Sequence, residues 1–257
     1  MVKLFNMDLY RMVKARSFKV CLILAFVLAL AYMPALKLLA YLVKTVSTEP
    51  SAAGLIPESV TLSSLISNPL ALFSGLLALI SVTGFFYADM ENGYIKNIAG
   101  QMPKRGFSIL SRFLAAAVHN VIFTVVSLIG CLIGAFLCQK VTADSGIASA
   151  VLTFFLRIIL LQALSSILLL VTSGLRSKPF GMALAVLFGL GALELLYSGI
   201  DSGLNLLIKG LQIRPYMPDA LLGMENPGTL RALLSSAVTI AIFLPAAIRV
   251  FDKRDIK

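Results

Sequence analysis

Charged residues make up only 13% of this 257-residue chain, where a soluble domain carries about a quarter. That shortage excludes an ordinary soluble fold, and a mean hydropathy of +0.94 with 59% apolar residues agrees. Histidine occurs once, as His119, and one imidazole cannot build the usual metal sites. The three cysteines, Cys21, Cys131 and Cys138, are an odd number set inside apolar runs. They give neither a disulfide framework nor a metal spacing, and their expected role is packing as small apolar side chains. The chain contains no G-x-x-x-x-G-K-[ST] phosphate loop and no G-x-S-x-G elbow, and its acids are scattered rather than clustered. We therefore expect no catalytic residues and no metal ligands.

What the chain has is apolar runs long enough to cross a bilayer. We expect an all-α polytopic membrane protein, one transmembrane domain over 1–257, with six spans at about 18–43, 69–88, 107–137, 147–173, 180–197 and 230–250. Residues 1–17 precede the first span. There Val2, Phe5, Leu9, Met12 and Val13 recur at helical spacing, with Lys3, Arg11 and Lys14 largely off that stripe. Such a helix lies in the membrane interface with its bases toward anionic headgroups. Ala29-Leu30-Ala31 resembles a signal-peptide cleavage site, but the apolar run continues to Val43, which favours a retained anchor.

The net charge of +10 does not point to nucleic acid, because the bases flank the spans instead of clustering on one folded face. Of the 22, 15 fall on the side of the termini and 6 on the opposite side, with Arg157 inside a span. The positive-inside rule then places both termini in the cytoplasm.

Four features inside this frame are candidates for function. The first is Asp89 to Arg105, a polar stretch after the second span. Tyr94, Ile95 and Ile98 form an apolar edge at helical spacing, flanked by Glu91, Lys96 and Asn97, and Pro103 ends it. A short cytoplasmic amphipathic helix of this kind suits a groove on a partner protein. The second is the pair Arg157 and Glu194, both in the outer halves of sequence-adjacent spans. An ionisable side chain at that depth is costly unless paired, so we expect them to pair, as a gate or path lining or as a clamp between helices. Third, Gly130 and Gly134 form a G-x-x-x-G that lets another helix approach closely, and Gly189 and Gly191 are placed to do likewise. Fourth, His119 beside Asn120 reads as a packing or hydrogen-bonding residue.

The start LFNMDLYRMVKARSF, the six spans and the segment E-N-G-Y-I-K-N-I…R after the second span resemble membrane subunits of ABC exporters. The likeness is to the second-type permease family of Gram-positive bacteria, which includes bacteriocin-immunity, bacitracin-resistance and sodium-efflux permeases. The resemblance implies that residues 1–17 are an interfacial elbow and that 89–106 holds the coupling helix. Glu91, Asn92, Gly93, Tyr94, Ile95, Lys96, Asn97 and Ile98 would then meet the ATPase. It also implies a partly re-entrant helix near Leu204 to Ile213, a second permease subunit, same or related, and two separate ATPase subunits that bind ATP and Mg. This chain itself would bind no cofactor. The expected function is export of a hydrophobic or amphipathic substrate (peptide, lipid or drug) from a bacterial plasma membrane, with antimicrobial-peptide immunity as one instance. The alternatives are a membrane-embedded enzyme and a non-transporting sensor or assembly subunit. Membrane lipid is an expected partner; nucleic acid is not.

Overall fold

The structure is a computed structural model that describes residues 2–46, 59–67, 74–91, 106–138, 140–175, 177–207, 212–224 and 226–253. Its elements in chain order are α1 (Val2–Lys14), α2 (Arg16–Val46), β1 (Ser59–Thr61), α3 (Leu62–Ser67), α4 (Ser74–Glu91), α5 (Gly106–Cys138), β2 (Lys140–Thr142), α6 (Ile147–Leu175), α7 (Lys178–Gly189), α8 (Leu193–Leu207), a 3-10 turn (Arg214–Tyr216), α9 (Pro218–Gly223) and α10 (Thr229–Asp252). Among them α2, α5, α6 and α10 are each long and apolar enough to cross a membrane, and the bent pair α7–α8 makes a fifth if counted as one span. The chain is thus an all-α multi-pass membrane protein.

Packing follows the small residues. Gly130 and Gly134 of α5 face α2, where a Cβ on Gly130 would lie 2.9 Å from both the Ala29 Cβ and the Phe26 carbonyl oxygen, and one on Gly134 would strike the Leu30 carbonyl. Backbones can approach this closely only where side chains are absent. Gly189 backs onto Leu76 of α4 in the same way. The core is filled by Leu79, Phe86, Ile109, Phe123, Leu161, Leu164 and Leu168, from α4, α5 and α6.

The expected continuous span 180–197 is broken. α7 and α8 meet at 71°, because the residues between them close α7 instead of extending it. The Ala192 N–H reaches back to the Leu187 carbonyl (3.0 Å) and the Gly191 N–H to Phe188 (3.2 Å), with Gly191 at φ 65°. This paired closure on a left-handed glycine is a Schellman motif, which takes up orphan carbonyls and turns the chain. At the position of the expected span 69–88 lies α4, an apolar helix whose described part is shorter than α2, α5, α6 and α10 and is not long enough to count with them. Of the segment Leu204 to Ile213, only the start lies in a helix, the end of α8; residues 208–211 lie outside the described residues.

The two ends of the bundle are distinct. At one end α1, the first turns of α5 and the last turn of α10 meet: Ser111 donates to Asp8, and Gly106 lies against Ile248 and Asp252. At the other, β1 and β2 pair in parallel, Val60 opposite Val141. Ser63 donates to Asp144 through both its N–H and its hydroxyl, and the Lys37 ammonium donates to the Cys138 carbonyl at 3.0 Å. We call this second end the cap.

Candidate functional site

Three polar centres lie within or against the bundle. The first is at the α1 end. Asp8 is 1% exposed, accepts from the Ser111 hydroxyl and has the Arg11 guanidinium 3.7 Å away. Arg112, fully buried, stands over the Phe251 ring at 5.9 Å. The amphipathic helix is therefore fastened to the bundle by a buried carboxylate, with Met12 in the core beside it. Along α1, Asp8 and Met12 are buried, Phe5 and Leu9 half-buried, and Val2 and Val13 exposed. Of the expected ATPase-contacting residues, Glu91 closes α4, and Asn92, Gly93, Tyr94, Ile95, Lys96, Asn97 and Ile98 lie outside the described residues.

The second centre is at the cap. Arg157 of α6, 1% exposed, donates from Nε to the Ser67 carbonyl, from Nη1 to that of Leu222 and from Nη2 to that of Met224 (2.8 Å). Ser67 ends α3, and Leu222 and Met224 lie at the end of α9. A guanidinium thus faces two helix C-termini, where the last carbonyls lack intrahelical partners and carry the negative end of the peptide dipoles. Glu194 instead pairs with Arg214. The structure brings Arg157 and Glu194 to different partners, contrary to the expected pair. The physical reason is the 71° bend, which swings α8 away from the line of α7 and carries Glu194 to the 3-10 turn. Asp201 secures the same turn, accepting from the Ile213 N–H (2.6 Å) and the Arg214 N–H (3.1 Å). Ser235 of α10 donates to the Tyr216 carbonyl at 2.6 Å.

The third centre lies in mid-bundle and joins three helices. Asn120 of α5 donates from Nδ2 to Gln162 Oε1 (2.9 Å) and Ser165 Oγ (3.1 Å), both on α6. Gln162 in turn donates to the Phe113 carbonyl at 2.8 Å. With both Nδ2 hydrogens used, Asn120 presents Oδ1 to His119 Nδ1 at 3.3 Å, so that nitrogen carries the proton. Nε2 is then the acceptor, and Ser81 of α4 donates to it at 3.1 Å. This is the neutral tautomer, and it satisfies every polar atom along the relay. Phe123 stacks on the imidazole at 4.4 Å between centroids and Phe18 meets its edge at 5.4 Å.

Sequence reasoning named His119 and Asn120 but missed Ser81, Gln162 and Ser165. The available signal was Gln162, an amide inside an apolar run with Ser165 and Ser166 three and four residues on, hence on its own helix face. No comparable signal marks Ser81. Among the described residues no group of three or more His, Cys, Asp or Glu side chains is placed to hold a metal ion. A scan against protein-family models, a search of curated proteins and a search of solved structures each returned no match.

Proposed function

We propose that this chain is the permease subunit of an ABC exporter, with six spans and both termini in the cytoplasm of a bacterial plasma membrane. It works with a second permease subunit, same or related, and with two copies of a separate ATPase that carries ATP and Mg. The observation that carries the reading is the docking of amphipathic α1, through buried Asp8, onto the first turns of α5. Those turns directly follow Asp89 to Arg105, the stretch whose residues Glu91 to Asn97 resemble a coupling helix. Motion of a cytoplasmic partner bound at Tyr94 and Ile95 would pass into α5 and drag α1 with it. The charge distribution supports the orientation, and the resemblance at the two segments supports the family. The largely apolar span faces favour a hydrophobic or amphipathic substrate such as a cationic peptide.

One observation favours an enzyme as the rival. Ser81, His119 and Asn120 stand in the order of nucleophile, base and orienting amide, at hydrogen-bonding distance. Two facts weigh against it. All three side chains are buried and the imidazole is walled by Phe18 and Phe123. They also stand in mid-helix, where the neighbouring backbone N–H groups are already bonded along the helix and cannot act as oxyanion donors.

The test is to purify the chain with its co-expressed ATPase and measure ATP hydrolysis in lipid. The expected result is a stable complex whose hydrolysis falls on a Tyr94→Ala/Ile95→Ala change, and whose stimulation by substrate falls on Asp8→Ala. A chain that neither binds nor alters an ATPase refutes the transport reading and leaves the sensor or assembly role.

A further inference from the structure

One face of α2 is left uncovered by every other described element. Val20, Ile23, Leu24 and Val27 recur along it at intervals of three and four and are 46 to 62% exposed. At 3.6 residues per turn they occupy a sector of about 100°, and Arg16 falls inside the same sector with Lys19 at its flank. Both bases are exposed. The opposite face, Phe18, Ala25 and Ala29, is buried in the bundle. From Val20 to Val27 the helix rises about 10 Å, which lies within the depth of one leaflet's hydrocarbon, about half of 30 Å.

The charges at the top of this face differ from the other cations discussed above. Arg11 has Asp8, Arg214 has Glu194 and Arg157 has three carbonyls. Lys14, Arg16 and Lys19 have no carboxylate partner among the described residues; Lys14 only lies over the Tyr10 ring at 4.6 Å, and Tyr10 is itself exposed. Arg16 and Lys19, without a carboxylate partner among the described residues, thus stand at the head of the apolar strip, with Lys14 two residues before Arg16 in the chain.

We infer that this face holds an anionic phospholipid. Arg16 and Lys19 bind its phosphate, and an acyl chain lies along Val20, Ile23, Leu24 and Val27. The guanidinium suits phosphate because its fork matches two oxygens at once. A second copy of the chain is a poor occupant: a two-fold contact over this face sets Arg16 and Lys19 against their own copies. The inference does not rest on the transport reading, since it concerns an outward face and needs no ATPase.

The chain has no tryptophan, so Ile23→Trp supplies a lone fluorescent reporter at the strip. The protein is placed in phosphatidylcholine bilayers containing equal fractions of either brominated phosphatidylglycerol or brominated phosphatidylcholine, and quenching is compared. The expected result is a local preference for phosphatidylglycerol of roughly fivefold per engaged base, lowered toward one by Arg16→Gln/Lys19→Gln. Arg231→Gln, at the cap end, leaves the preference intact. Should the double variant fail to fold, raised salt on the reporter protein alone must weaken the preference, because these cations are exposed. Equal quenching by the two lipids overturns the inference, as does a reporter shielded from both. A loss of preference on Arg231→Gln as large as on the double change also overturns it, because the effect then belongs to overall charge and not to this face.

Discussion

Arg157 and Gln162 stand on the same helix, about 7.5 Å apart along its axis, yet the polar centres they serve are built differently. Gln162 belongs to a neutral relay in which side chains satisfy side chains: Asn120, Ser165 and the single histidine, with the Phe113 and Leu161 carbonyls at its ends. Arg157 carries a full charge and donates to three backbone carbonyls of segments that meet at the cap. Where water is absent on all sides, neutral groups that donate and accept in turn avoid the cost of a buried ion. Near the end of the bundle, short helices leave orphan carbonyls, and a cation that meets several of them removes two problems together. The first arrangement joins helices to one another. The second joins helices to loops.

If this contrast is right, the largest effect belongs to Arg157→Met. It keeps the length and apolar stem but leaves three carbonyls without their donor in a buried site. A loss of about 3–5 kcal/mol is expected, read as a lower unfolding midpoint in a detergent titration. Arg157→Lys should recover only part of it, because an ammonium cannot present a planar fork to three carbonyls at once. A Lys variant as stable as the parent would mean that charge alone holds the cap.

A smaller effect is expected in mid-bundle. Asn120→Leu strands Gln162 and Ser165 and should cost about 1–3 kcal/mol. Gln162→Leu should cost a similar amount, and the two together less than their sum, because neither partner is then left unsatisfied. A double-mutant cycle reads this directly. Strict additivity would show that the 2.9 Å contact adds nothing beyond packing, and the contrast between the two centres would collapse.

How much of this was legible in the sequence divides along the same line. The long helices α5, α6 and α10 lie within two residues of their expected limits, because an uninterrupted apolar run leaves the backbone no alternative in hydrocarbon. The partners of Arg157 were not legible, since carbonyls carry no residue type and any segment can supply them. Pairing Arg157 with Glu194 assumed that residues 180–197 form one straight helix. The glycines around Leu190 were present in the sequence, but their reading as close-packing positions concealed that Gly191 ends a helix. Asn120 announced a polar contact inside a span without naming Gln162 across the interface, which lies 42 residues on.

The smallest effect concerns pH, and it sets the cap apart from the relay once more. Asp219, in the first turn of α9, is buried. Burial raises its carboxyl above the ordinary 3.8, and the charge of Glu194 adds to this, while its own N–H, that of Ala220 and the Tyr197 hydroxyl pull the other way. A folded-state value above the unfolded one means that the folded protein binds this proton more tightly. The stabilisation is therefore complete below 3.8 and is lost as pH climbs through the raised value. Asp219→Asn, which stays neutral throughout, should be at least as stable as the parent above that window and should flatten the dependence of the unfolding midpoint on pH. The stability of the parent should fall with rising pH across the window, and the relay variants Asn120→Leu and Gln162→Leu should keep that slope, since neither removes the carboxyl. An unchanged slope in Asp219→Asn would show that the cap does not sense this proton, leaving Arg157 as the feature that separates the two centres.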